Sequence, residues 1–268
     1  MLKDITLGQY FPGNSIAHKL DPRTKILLVT LYIIALFSAK GWMGYAVMAV
    51  TLAACVQVSH VGLRALVRGL KPLVFIIAFT GILNMFFTPD THYLWEWGIL
   101  RVSVKGIENA LFMVIRIMLL VMGTFLMTYT TSPIRLTDGL ESLLNPLKKI
   151  HVPVHELAMM MAIALRFIPT LIEETDKIMS AQKARGADFD SGNIFQKAKA
   201  LVPILVPLFI SAFRRADELA TAMECRCYHG GEGRTKLHVL KYQRRDYVAL
   251  TGGAVILALV VVLRRLGA

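Results

Sequence analysis

Two arginines carry the most specific chemistry in this sequence. Arg185 lies between Ala184 and Gly186 at the foot of a long helical pattern. Arg226 lies between Cys225 and Cys227 at the foot of a second one, with Gly230 and Gly231 just beyond. A guanidinium is a planar fork of five donors that stays charged, and it matches carboxylates and carbonyls. Small neighbours let another surface reach the backbone around that fork. Each charge-assisted hydrogen bond made there contributes ~1.5–3 kcal/mol once desolvated. The chemistry implied is docking. Helix capping is the competing account: a cation in the last turn complements the helix dipole, and a following glycine takes the left-handed turn. It covers Ala184-Arg185-Gly186 well. It covers Cys225-Arg226-Cys227 poorly, because cysteine does not enter that conformation easily.

The two ends also share a register. Setting Arg185 against Arg226, an offset of 41 residues, aligns Asp176 with Asp217, Ile178 with Leu219, Ser180 with Thr221 and Ala181 with Ala222. Two similar tips imply two similar receptors. Other constellations are weaker. Cys225 and Cys227 with His229 and His238 lack the usual zinc spacing. The run from Gly230 through Thr235 to Lys236 lacks the order of a phosphate-binding loop, and no strand precedes it. Arg116 and Glu108 in an apolar segment are read as helix packing rather than a substrate path. With no serine–histidine–acid set, no acidic diphosphate motif and no metal pair, the expectation is no catalytic, cofactor-binding or metal site.

The elements that position the tips are helical and mostly apolar. The 268 residues are 55% hydrophobic and 18% charged, a balance suited to several bilayer spans. Apolar runs at 26–39, 45–58, 72–87, 107–130 and 247–263 predict five spans. Asp21-Pro22 marks the first helix start. Residues 59–71 read as a basic linker and 88–105 as a loop bearing Asp90, Tyr93, Trp95, Glu96 and Trp97. The net charge of +12 is not interleaved with exposed aromatics, so nucleic acid is not implied. It sets orientation instead: the first 25 residues, 59–71 and 132–246 hold 4, 3 and 17 Lys/Arg. The amino terminus is therefore expected inside and the carboxyl terminus outside. Residues 1–25 have no apolar core of a cleaved leader. Three cysteines with no framework spacing fit a reducing face.

The expected architecture is an all-α integral membrane protein. Residues 1–131 hold four spans, 132–246 form a cytoplasmic block of long amphipathic helices, and 247–268 hold the last span. Leu157, Met160, Ala164 and Leu171 recur at helical spacing, as do Leu201, Leu205, Leu208, Ala212 and Ala216. Their upper halves are read as buried against lipid or protein. Pro169, Pro203 and Pro207 are expected kinks.

At these residues the chain resembles the transmembrane T component of energy-coupling-factor transporters, in the wider group that includes membrane subunits of cobalt importers. Gly8-Gln9-Tyr10 through Ser15 to His18-Lys19-Leu20-Asp21-Pro22-Arg23-Thr24-Lys25 is similar to that family's amino-terminal signature. Ala184-Arg185-Gly186 resembles its first Ala-Arg-Gly motif, and Cys225-Arg226-Cys227 its second. The resemblance implies a non-catalytic coupling subunit of an ABC-type importer at the cell membrane. Its partners would be two cytosolic ABC-type ATPases and a membrane-embedded S component that captures a vitamin or other micronutrient. Ala184, Arg185, Gly186, Cys225, Arg226 and Cys227 would be the ATPase-docking residues, carried on coupling helices whose apolar upper faces contact the S component. The cysteines depart from the motif; being small, they should preserve docking, and a difference would show in the turn after Arg226. The alternative is a self-contained permease that binds its own substrate among the spans.

Overall fold

The computed structural model describes residues 10–88, 93–97, 100–187, 189, 193–230 and 239–266. The described chain is almost wholly helical and divides into two compact units, one of Gly8–Gly139 with Leu240–Ala268, the other of Leu140–Val239.

The first unit holds α1 (Ile16–Lys19), α2 (Pro22–Ser38), α3 (Gly41–Ser59), α4 (Leu63–Leu70), α5 (Val74–Phe87), α6 (Val104–Thr130) and α10 (Arg244–Leu266). The α2 start forms as expected: Asp21 caps it, accepting from the Arg23 amide, and Pro22 occupies the first helical position. Arg23 clasps the same carboxylate through two nitrogens, at 3.1 and 3.0 Å. That hydrogen bond is the main reason its guanidinium is pushed up from its ordinary pKa. The basic linker is mostly helix. Leu66 and Leu70 of α4 are buried while Arg64 and Arg68 stay exposed, and one 3₁₀ turn at Lys71–Leu73 carries it into α5. The expected loop contains a two-stranded hairpin, β1 (Tyr93–Trp97) with β2 (Leu100–Ser103), antiparallel. Asp90 and the side chains of Tyr93, Trp95, Glu96 and Trp97 lie outside the described residues.

The core of this unit is made by Leu36, Met48, Leu52, Leu66, Leu119 and Val260. Two glycines set the helix spacing. A Cβ on Gly123 of α6 would lie 2.5 Å from the Tyr32 ring of α2, and one on Gly253 of α10 would lie 2.8 Å from Leu28. The close approach lets Tyr32 donate its hydroxyl to the Leu119 carbonyl at 3.0 Å. α2 and α10 run the same way. Asp246 at the start of α10 accepts from the Asp21 amide, and seven residues further Gly253 meets Leu28. Lys25, buried, closes the same end: its ammonium donates to the Thr130 carbonyl (2.8 Å) and the Thr131 hydroxyl (3.1 Å) at the foot of α6, where a cation also offsets the dipole. The amino-terminal segment is stapled here too. The Phe11 amide donates to the Tyr129 carbonyl, and His18 bonds Ser15 and the Phe11 carbonyl. A carbonyl only accepts, so Nε2 of His18 carries a proton.

The second unit contains α8 (Val154–Ala184) and α9 (Ile194–Glu224), each of 31 residues. α7 (Pro133–Leu144) leads into it through a 3₁₀ segment at Asn145–Ile150, which carries Pro146 in its first turn. The Glu141 carboxylate and His155 Nδ1 lie 3.0 Å apart, joining α7 to the start of α8. Both long helices continue through their prolines.

Five described helical segments are long and apolar enough to cross a membrane: α3, α4 with α5, α6, α8 and α10. The number matches the expectation, but the set differs. α2 has only 17 residues, ~26 Å at 1.5 Å per residue, a little under the ~30 Å hydrocarbon core. The apolar upper half of α8 brings that helix into the set on length and composition.

Candidate docking surface

Each tip is built by the last turn of its helix. On α8 the Arg185 amide donates to the Gln182 carbonyl, the Gly186 amide to Lys183 and the Ala187 amide to Gln182. Gly186 takes φ +87°. On α9 the Arg226 amide donates to Met223, the Cys227 amide to Glu224 and the Tyr228 amide to Met223. Cys227 takes φ +56°. Each of these three bonds maps onto the second tip with the offset of 41, while a further bond from the Arg185 amide to the Ala181 carbonyl has no counterpart at Arg226 among the described residues. Both are Schellman turns with the arginine as the final cap residue. The turn after Arg226 therefore does not differ from its counterpart. It is held in the left-handed region by a residue with a Cβ, at a cost of ~1–2 kcal/mol. The capping account thus covers the backbone at both ends, while the side chains remain unused by it. Arg185 and Arg226 are exposed, as are Ala184, Gly186, Cys225 and Cys227. Both cysteines are free thiols.

The offset reappears where the helices touch. Arg215 Nη2 meets Glu174 Oε2 at 3.0 Å, and 215 is 174 displaced by 41. Glu174 to Arg185 and Arg215 to Arg226 are both 11 residues, so each arm measures ~16 Å from contact to tip. With the two helix axes ~8–10 Å apart at the contact, the tips are at most ~43 Å apart. Neither arm contains proline or glycine. Pro169, Pro203 and Pro207 all lie on the other side of the contact, in the apolar halves. The arms are therefore stiff, and bending freedom is confined to the amino-terminal half of each helix.

A second contact follows from a proline. Pro207 has no amide hydrogen, so the Pro203 carbonyl loses its partner within α9. Gln182 Nε2 of α8 donates to it at 3.3 Å. From the first contact to the second, α8 advances from 174 to 182 while α9 retreats from 215 to 203, so the pair is antiparallel. Sequence reasoning missed both contacts. The register that would have paired 174 with 215 was visible, but a shared register does not say that equivalent positions touch.

The upper half of α9 presents a bare stripe. Leu201, Val202, Leu205, Val206, Phe209 and Ile210 are each about half exposed or more, and the charged Arg214 ends the stripe. The intramembrane polar residues do not converge. Arg116 donates to the Tyr45 hydroxyl at 2.9 and 2.6 Å, pairing α6 with α3. Glu108 is exposed elsewhere on α6, and Asn84 bonds the Thr80 carbonyl of its own helix. His229 is exposed; His238 and the glycine-rich run from Gly231 lie outside the described residues.

The sequence profile of the cobalt transport protein family matches residues 13–237. Among curated proteins the chain is similar to the energy-coupling factor transporter transmembrane protein EcfT of Acidaminococcus fermentans, 57% identical over 265 residues, covering 98% of this chain and 97% of that one. It is 54% identical over 256 residues to the protein of the same name from Ruminiclostridium cellulolyticum (96% and 95% covered). To that of Bacillus subtilis it is 46% identical over 264 residues, covering 98% and 100%.

Proposed function

This chain belongs to the family of energy-coupling-factor transporter transmembrane components, and from that premise we propose that its two arginine tips seat on two cytosolic ABC-type ATPases. The protein is a multi-pass membrane protein. In the proposed assembly its first unit anchors it in the bilayer with the amino terminus and the tips in the cytoplasm. The bare stripe of α9 and the apolar upper half of α8 receive a membrane-embedded S component that captures a vitamin or other micronutrient. ATP hydrolysis belongs to the partners, and the chain itself transmits motion.

One observation carries the reading: two different sequences, Ala-Arg-Gly and Cys-Arg-Cys, are folded into one backbone turn that leaves each guanidinium exposed and unused within the described residues. The capping bonds account for each backbone turn and leave both guanidinia without a role. Docking gives the shared geometry a purpose. Motion would be carried as follows. ATPase closure changes the separation of the two tips. Stiff arms of equal length convert that change into a rotation about the Glu174–Arg215 contact, which reaches the apolar halves beyond it.

The test is Arg185→Glu and Arg226→Glu, separately and together, with ATPase co-purification and nutrient uptake as readouts. Losing one charge-assisted contact of ~1.5–3 kcal/mol weakens that socket at least ~10-fold. Each single variant should reduce association, and the double variant should abolish it while membrane insertion stays normal. Undiminished uptake in the double variant rejects the assignment.

A further inference from the structure

In the first unit a groove of about 640 Å³ opens between α2, α3, α6 and α10. Its walls are apolar: Leu28, Leu31, Cys55, Val58, Leu126 and Ile256 are among them. One end is different. Lys25, Arg244 and Arg245 all border it there. We propose that the groove holds the acyl tail of one anionic phospholipid, with its phosphate against Arg244 and Arg245.

The depth matches a lipid tail. From Arg245 to Ile256 is 11 residues along α10, ~16 Å, which is about half of the ~30 Å hydrocarbon core and so the depth of one leaflet.

The charges select the headgroup. Arg244 and Arg245 are exposed at the rim. Two acids at this end are already committed. Asp246 is buried and accepts from the Asp21 and Gln243 amides, at 2.9 and 2.8 Å. Asp21 is clasped by Arg23. Lys25 gives two of its three protons to Thr130 and Thr131, which leaves the arginines as the principal phosphate ligands. Arginine suits a phosphate through its paired donors.

Gly252 supplies a clean probe. It borders the groove, and a Cβ placed on it would meet nothing within 4 Å. Gly252→Leu therefore fills the groove without disturbing helix contacts, whereas Gly253, against Leu28, would not serve. The experiment uses the full-length purified protein with equal phosphatidylglycerol and phosphatidylcholine, read by native mass spectrometry. The wild type should retain one phosphatidylglycerol in preference to phosphatidylcholine. Gly252→Leu should lose the retained lipid. Arg244→Gln with Arg245→Gln should lower the preference by ~30-fold, about five-fold per arginine. Three results each overturn the proposal: no retained lipid in the wild type, no headgroup preference, or retention unchanged in Gly252→Leu. Lipid displaced when partner subunits assemble would assign the groove to protein and also overturn it.

Discussion

Reversing Glu174 tests whether the α8–α9 contact is a pivot. The ion pair measures 3.0 Å, with the Arg215 and Glu174 side chains 33% and 22% exposed. It is single-pronged among the described residues, where buried Arg215 Nε finds no partner. Partial exposure and one hydrogen bond put the pair at the lower end of charge-assisted contacts, ~1 kcal/mol. Glu174→Arg replaces that attraction with a repulsion of similar size, a swing of ~2 kcal/mol. For a chain of this size that lowers the melting midpoint by roughly 4–8 °C. The functional effect should be larger than the stability effect, because the tips sit ~16 Å away on stiff arms and a shifted crossing displaces both. Uptake should fall while each isolated arginine remains intact. The exchange Glu174→Arg with Arg215→Glu restores opposite charges and should recover most of the midpoint and of the uptake. A thermal-shift double-mutant cycle, paired with uptake measured in the same four proteins, reads both quantities. If the exchange recovers nothing, or if Glu174→Arg transports normally, the pivot is wrong.

Two further substitutions probe the helix ends and the proline. Cys227→Gly removes the left-handed strain at φ +56° but loosens the unfolded chain, for a net gain of about 0.5–1 kcal/mol, visible as slower hydrogen exchange at the Tyr228 amide. Cys227→Val should do the reverse, by a similar or larger amount. Pro207→Ala returns an amide to α9, recaptures the Pro203 carbonyl from Gln182 and should stabilise the helix by up to ~3 kcal/mol. If bending in the amino-terminal half of α9 contributes to coupling, that variant is more stable yet slower in uptake.

What could be read from residue types was what depends on local chemistry. Asp21 with Pro22 fixes a helix start because a carboxylate and a missing amide act within one turn, and the structure has both in place. Apolar runs too long for any strand gave an all-helical membrane protein for the same reason. Contacts across the chain were not legible. Leu63, Leu66, Val67 and Leu70 recur at helical spacing within 59–71, but the basic residues around them dominate the reading of that stretch as a linker. The hairpin at 93–103 was hidden because its pairing is set by register, which a mixed aromatic and charged run does not declare.

Cys227 shows the limit in the other direction. Reasoning from intrinsic preference assigned the left-handed turn to Gly186 and left the second end in doubt, because a side chain there is penalised. The structure has the turn at both ends. The helix supplies the reason: the Tyr228 amide reaches the Met223 carbonyl only if residue 227 turns left, and that bond offsets a strain of ~1–2 kcal/mol. Propensity therefore ranked the two ends correctly by cost and misjudged the second by outcome. The same logic explains why the 41-residue register is a stronger signal than either triplet. A triplet specifies one turn, whereas a register that recurs in the turn, in the arm length and at the Glu174–Arg215 contact constrains where two tips stand relative to a single pivot. Two equal levers on one pivot are what a pair of equivalent sockets would require.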